Sequence, residues 1–136
     1  REVVTSFIKI AGTPKLEETG LPQQLEIFKW VRARTGRMPP VVDSRDVLEN
    51  PSRLLQFLCD SLDVEFTESM LSWPPGPRDT DGVWAKHWYH AVHQSSGFSK
   101  YELKREFPEH LRGLLDECVP HYEKLFTHAI RATTGD

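Results

Sequence analysis

Three histidines, His87, His90 and His93, recur at every third position of one short segment. Imidazoles at such spacing raise metal binding first. On an α-helix each three-residue step turns about 300°, so the three side chains fan over roughly 120°. An adjacent pair can chelate one ion, but all three cannot converge on it. No cysteine lies close, and the nearest acids, Asp79 and Asp81, stand in the preceding loop. The segment is therefore read as holding no metal. His87 falls on the apolar stripe of Trp84, Trp88, Ala91 and Val92 and is expected in the core. His90 and His93 fall with Lys86 on the polar side and are expected in solvent. The Trp/Tyr-rich stretch 84–89 offers a stacking platform for a base, but aromatic residues at this spacing more often fill a core.

Other reactive arrangements are thinner. Cys59 and Cys118 stand in no metal spacing, and each sits among apolar residues at helical spacing. Both are expected buried and reduced, which points to a reducing, cytoplasmic compartment. The sequence has no Gly-x-Ser-x-Gly nucleophile turn, no Gly-x-Gly-x-x-Gly loop and no Gly-x-x-x-x-Gly-Lys-Ser/Thr loop. Nothing marks a Schiff-base lysine. The best phosphate candidate is the stretch from Arg1 to Ser6. It lies in the first turns of a helix, where free backbone N–H groups attract anions.

These residues must be carried by elements of a modest chain. At 136 residues it is one globular domain or part of a larger one. The 17 Lys and Arg against 20 Asp and Glu give a net charge of −3, so there is no basic excess to bind nucleic acid. No apolar run is long enough to span a membrane. The chain opens on Arg1 without a methionine and reads as the continuation of a longer sequence.

Apolar spacing predicts a helix over residues 2–11, carried by Val3, Val4, Phe7, Ile8 and Ala11, then a loop over 13–20. A second helix spans residues 22–35, with Leu21, Leu25, Phe28 and Val31 as its stripe and Gly36 as its stop. Val41-Val42-Asp43 reads as one short buried strand near 41–43 that lacks a partner within the chain. A helical turn over 45–49 follows. Asn50-Pro51 then opens a helix as N-cap and first residue, with Leu54, Leu55, Leu58 and Leu62 on its stripe. Residues 67–72 form a short helix with Thr67 as cap, and Trp73-Pro74-Pro75-Gly76-Pro77 forbids regular structure. One helix is expected over 82–94. A last helix runs over 108–130 with a kink or break at Pro120, and residues 133–136 fray.

Three stretches resemble a known family. They are Arg1-Glu2-Val3-Val4-Thr5-Ser6-Phe7, then Val41-Val42-Asp43-Ser44-Arg45-Asp46-Val47-Leu48-Glu49-Asn50-Pro51, and the block from Met70-Leu71-Ser72-Trp73-Pro74-Pro75-Gly76-Pro77 through Asp81-Gly82-Val83-Trp84-Ala85-Lys86-His87-Trp88-Tyr89 to Ser95-Ser96-Gly97-Phe98. Together they resemble the C-terminal half of P-loop sulfotransferase-like proteins, of the bacterial and plant type sometimes labelled branched-chain aminotransferase-like. The first stretch is similar to the end of the family's Arg-Asp/Asn-Pro-x-Asp/Glu-x-x-x-Ser motif.

The resemblance implies an α/β parent fold, a parallel sheet wrapped by helices, of which this chain is a mostly helical part over residues 1–136. It implies 3′-phosphoadenosine 5′-phosphosulfate as donor, no metal, and a small-molecule hydroxyl or amine as acceptor. Nucleic acid and membrane are not expected as partners. Ser6 falls on the motif serine that holds the donor's 3′-phosphate. Arg1 occupies the variable position before the acid, and the motif's leading arginine would lie upstream. Ser44 falls about where many cytosolic sulfotransferases place an adenine-contacting tyrosine. The loop that closes over the 3′-phosphate corresponds to residues 95–98, which include Ser96 and Gly97, or to residues 82–84. Trp84, His87 and Trp88 are assigned to the acceptor side. The P-loop, its cation and the catalytic histidine are expected upstream, in a segment that also completes the sheet. The chain alone is thus expected to be an inactive fragment of a transferase. Two other readings stay open: a non-catalytic helical interaction module, and a nucleotide-dependent small-molecule kinase of related fold.

Overall fold

The computed structural model describes residues 1–103 and 106–131, and all their side chains except those of Ile10 and Ala11. The expectations for residues 133–136, and for the Ala11 side chain on its stripe, lie outside what is described. The chain divides into two compact units. The first joins Arg1–Asp43 to Glu102–Ile130, and the second is built on Ser44–Tyr101. Among the described residues the structure is helical, with two isolated bridges in place of a sheet.

In the first unit, α1 (Glu2–Ala11) turns its stripe inward and buries Val4, while Val3 on its flank stays half exposed. Residues 13–20 are not wholly a loop, because Leu16–Thr19 close a 3₁₀ turn. The buried Thr19 hydroxyl donates to the Leu16 carbonyl at 2.6 Å. α2 (Leu21–Thr35) follows with Pro22 in its first turn. It ends on Gly36, whose φ of 68° few other residues adopt, and whose N–H donates to the Arg32 carbonyl at 3.0 Å. Leu25 and Phe28 are buried with Leu125 of α7 (Arg112–Phe126), and Val41 packs against them. Val4, Leu111 and Cys118 form a second core cluster, lined by Ile8, Leu16, Leu21, Phe107 and Leu114. Burial pushes the Cys118 thiol above its ordinary pKa, so it stays protonated at neutral pH.

Two further expectations for this unit change. The last helix begins after a 3₁₀ turn, Glu109–Leu111, continues unbroken through Pro120 and stops at Phe126. Beyond it the chain extends, and Ala129 bridges Val41 in parallel, with the Ile130 N–H donating to the Val41 carbonyl at 2.8 Å. The strand near 41–43 therefore shrinks to one bridging residue. Pro39 and Pro40 supply no donors before it, Val42 is exposed, and α3 starts immediately after Asp43. The Asp43 carboxylate accepts from the Tyr122 hydroxyl at 2.7 Å.

In the second unit, α3 (Ser44–Glu49) leads directly to α4 (Pro51–Leu62). The Asn50 side chain accepts the Arg53 N–H at 3.3 Å, the expected cap, and Pro51 opens the helix. Leu54 is fully buried and Cys59 nearly so, with Cys59 Sγ at 3.9 Å from Met70 Sδ. Cys59 and Cys118 are both free thiols. A 3₁₀ turn, Glu68–Leu71, follows. The Thr67 hydroxyl meets Ser69 at 2.7 Å and caps no backbone N–H.

The single helix expected over 82–94 is two short ones, α5 (Ala85–Trp88) and α6 (His90–His93). They part at Tyr89, where φ −96° and ψ 9° leave the helical well. The path stays nearly continuous: the Tyr89 N–H donates to Ala85 at 2.9 Å, and its carbonyl accepts from His93 at 2.8 Å. Trp, Tyr, His and Val are indifferent helix formers, so little local preference repairs the break. No helix among the described residues is long and apolar enough to cross a membrane.

Candidate functional site

The densest polar construction of the second unit surrounds the proline-rich loop. Pro74, Pro75 and Pro77 have no N–H, so residues 72–82 cannot build a ladder of their own. They are clamped by the segment after α6. The Trp73 N–H donates to the Ser96 carbonyl at 3.1 Å, and its indole N–H to the Ser95 hydroxyl at 3.0 Å. The Gly76 N–H donates to the His93 carbonyl at 2.7 Å. Ser72 and Gly97 form an antiparallel bridge, and the Trp73 ring meets Phe98 edge-on at 5.4 Å. Gly97 sits in a tight place, since a Cβ there would stand 3.1 Å from the Leu71 carbonyl oxygen.

Asp81 sits at the far end of this loop. Its Oδ2 accepts the Arg78 N–H at 2.9 Å and lies 2.8 Å from His93 Nε2. Both side chains are largely shielded, at 15% and 23% exposure. The Arg78 N–H first, and then the His93 ring, hold the Asp81 carboxyl below its ordinary value of 3.8. It is therefore ionised at neutral pH. The Arg78 guanidinium donates to the Pro74 carbonyl at 3.3 Å, and the Tyr89 ring stands edge-on to His93 at 6.1 Å. A carboxylate against an imidazole nitrogen fixes the ring's orientation. The sequence reading missed this pair and placed His93 in solvent. The two residues are joined across an irregular loop, and no periodicity links them.

The nominated residues fall in both units. In the first, Ser6 is exposed on α1, and the Arg1 guanidinium lies over the Phe107 ring at 5.4 Å. In the second, Ser44 is the exposed first residue of α3, and Ser96 and Gly97 belong to the clamp. Trp84, His87 and Trp88 are exposed, Trp84 at 67%. The expected core placement of His87 and of the aromatic stretch is thus wrong. Ala85 is the buried residue of α5, so the inward face is rotated from the stripe drawn through Trp84, Trp88 and Val92. The structure brings Ser96 and Gly97 together with the proline loop, and Trp84 with Trp88 one turn apart. Among the described residues no three His, Cys, Asp or Glu side chains are grouped to hold a metal ion.

Comparison with known proteins bears on the family of the chain. The chain is similar to two Arabidopsis thaliana proteins, branched-chain-amino-acid aminotransferase-like proteins 1 and 2. It is 37% and 35% identical to them over 127 residues, 93% of this chain and 22% of each relative. The chain therefore spans about a fifth of the length of these relatives. No solved structure matches it. The family described as sulfotransferase domain matches residues 29–129, a span that holds Ser44, Trp84, His87, Trp88, Ser96 and Gly97 but not Arg1 or Ser6. Well over half of the chain lies within that match, and the chain belongs to the sulfotransferase domain family.

Proposed function

We propose that this chain is the C-terminal part of a single α/β sulfotransferase domain. The full-length protein would move a sulfuryl group from 3′-phosphoadenosine 5′-phosphosulfate to a hydroxyl or amine of a small molecule. The observation that carries the reading is the sulfotransferase-domain match over residues 29–129. The aminotransferase in the relatives' names is not carried over, because the match covers about a fifth of their length.

The residues present suit such a donor in type. Ser6, Ser44 and Ser96 offer exposed hydroxyls, Gly97 brings backbone close without a side chain, and Arg1 supplies a cation. In this reading, carried over by resemblance, Ser6 of the first unit takes the motif serine's part toward the 3′-phosphate, with Arg1 at the motif's variable position. In the second unit Ser44 takes the adenine-side position, and residues 95–98, with Ser96 and Gly97, or residues 82–84 take the part of the closing loop. Trp84 and Trp88 present exposed rings for the acceptor to pack on, with His87 beside them. When bound, the donor supplies an activated sulfuryl group, whose sulfur bonds to the acceptor as its bond to the 5′-phosphate oxygen breaks. In this reading the base that takes the acceptor's proton and the cation on the leaving phosphate come from parts of the full-length protein outside residues 1–136. Buried free thiols at Cys59 and Cys118 suit a reducing, cytoplasmic setting.

The test is Ser6→Ala in the full-length protein. Losing a hydroxyl from a charged phosphate should weaken adenosine 3′,5′-bisphosphate binding by about tenfold or more. An unchanged affinity removes Ser6 from the donor site.

A further inference from the structure

We propose that Asp81 and His93 are positioning residues, a lock that sets where the aromatic ledge of Trp84 and Trp88 stands. The inference rests on the reading that this ledge meets the acceptor. Two ties of the proline loop run to one residue. The His93 carbonyl accepts from Gly76 at 2.7 Å, and its imidazole meets Asp81 at 2.8 Å. Asp81 also closes its own turn, accepting the Arg78 N–H at 2.9 Å while its N–H donates to the Arg78 carbonyl at 3.0 Å. The loop end is thus closed on itself from Arg78 to Asp81, and the Asp81 side chain joins it to α6 at the His93 ring. Gly82 and Val83 alone separate Asp81 from Trp84, and the Ala85 N–H donates back to Gly82 at 2.9 Å. Where Asp81 is held, α5 starts.

Both partners of the lock are largely shielded, so water competes weakly, and an ionised acceptor makes the bond a strong one. Trp84 and Val83 are exposed, and of α5 Ala85 alone is buried. A ledge with exposed rings needs its angle fixed from behind, and the lock does this.

The Arg78–Asp79 peptide bond lies inside the loop and is a trypsin site, which makes the lock measurable in the full-length protein. Asp81→Ala and His93→Ala should each speed cleavage there by about tenfold, and raise amide exchange over residues 82–89. His93→Gln places an amide nitrogen near the Nε2 position and should stay within about threefold of the parent protein. The double alanine variant should cut no faster than the faster single one, since both remove the same contact. Parental cleavage rates in the single variants, multiplied effects in the double, or no rescue by glutamine would overturn the lock. Faster cleavage without faster exchange over 82–89 would overturn its hold on the ledge. Binding of adenosine 3′,5′-bisphosphate to the parent protein, measured alongside, separates failure of the sulfotransferase reading from failure of the lock.

Discussion

Alanine at position 97 tests the clamp behind the candidate site at a single atom. The added Cβ would stand 3.1 Å from the Leu71 carbonyl oxygen, closer than ordinary van der Waals contact. That oxygen is backbone, at the end of the 3₁₀ turn Glu68–Leu71, so it moves only with its neighbours. Those neighbours are tied down by the Ser72–Gly97 bridge and the Trp73 to Ser96 hydrogen bond at 3.1 Å. Gly97 is not in the left-handed region, so alanine meets no backbone penalty. It would even gain about 0.4–1 kcal/mol by narrowing the unfolded ensemble. Overpacking a fixed contact costs about 1–3 kcal/mol, so the net is about 1 kcal/mol against the clamp. Amide exchange at Trp73 should then quicken by about fivefold in Gly97→Ala. Gly113→Ala is the control, because nothing lies within 4 Å of a Cβ there and the position is inside α7. Alanine should stabilise that helix by about 1 kcal/mol. Unchanged or slower exchange at Trp73 in Gly97→Ala would refute the steric argument.

Leu111 is fully buried among Val4 and Cys118, and Leu111→Ala should cost about 2–5 kcal/mol, read as a lower denaturation midpoint at constant slope. Asn50→Ala removes the acceptor for the Arg53 N–H and should cost about 1 kcal/mol, visible as faster exchange at the start of α4. Asp81 has a folded pKa below its ordinary 3.8, so its contribution is complete above that value and is lost as pH falls through the lower folded one. Exchange over residues 76–82 should therefore rise below about pH 4 relative to neighbouring segments, and Asp81→Ala should show no such step.

Much of the helical framework was legible because its signals are local. Val4, Leu25 and Phe28 lie on the stripes that spacing draws, and Gly36 and Asn50 end and begin helices through their own backbone and side-chain chemistry. Cys59 and Cys118 were legible as buried thiols for the same reason. The failures are tertiary. The stripe through Trp84, His87 and Trp88 is a good periodic pattern, but the second unit turns Ala85 inward and leaves those rings exposed. Val41 reads as a strand by composition, yet its partner is the single residue Ala129, far along the chain. The Asp81–His93 contact depends on how a proline-rich loop folds back, which no hydrophobic period encodes. The assignments of Ser6, Ser44, Ser96 and Gly97 rest on resemblance, and the geometry alone would not have picked them out.

The most direct measurement is a calorimetric titration of the full-length protein with adenosine 3′,5′-bisphosphate and, separately, with ATP. Use of 3′-phosphoadenosine 5′-phosphosulfate as donor predicts that the bisphosphate binds at least about tenfold more tightly than ATP. Tighter binding of ATP, or no binding of the bisphosphate, would contradict the account.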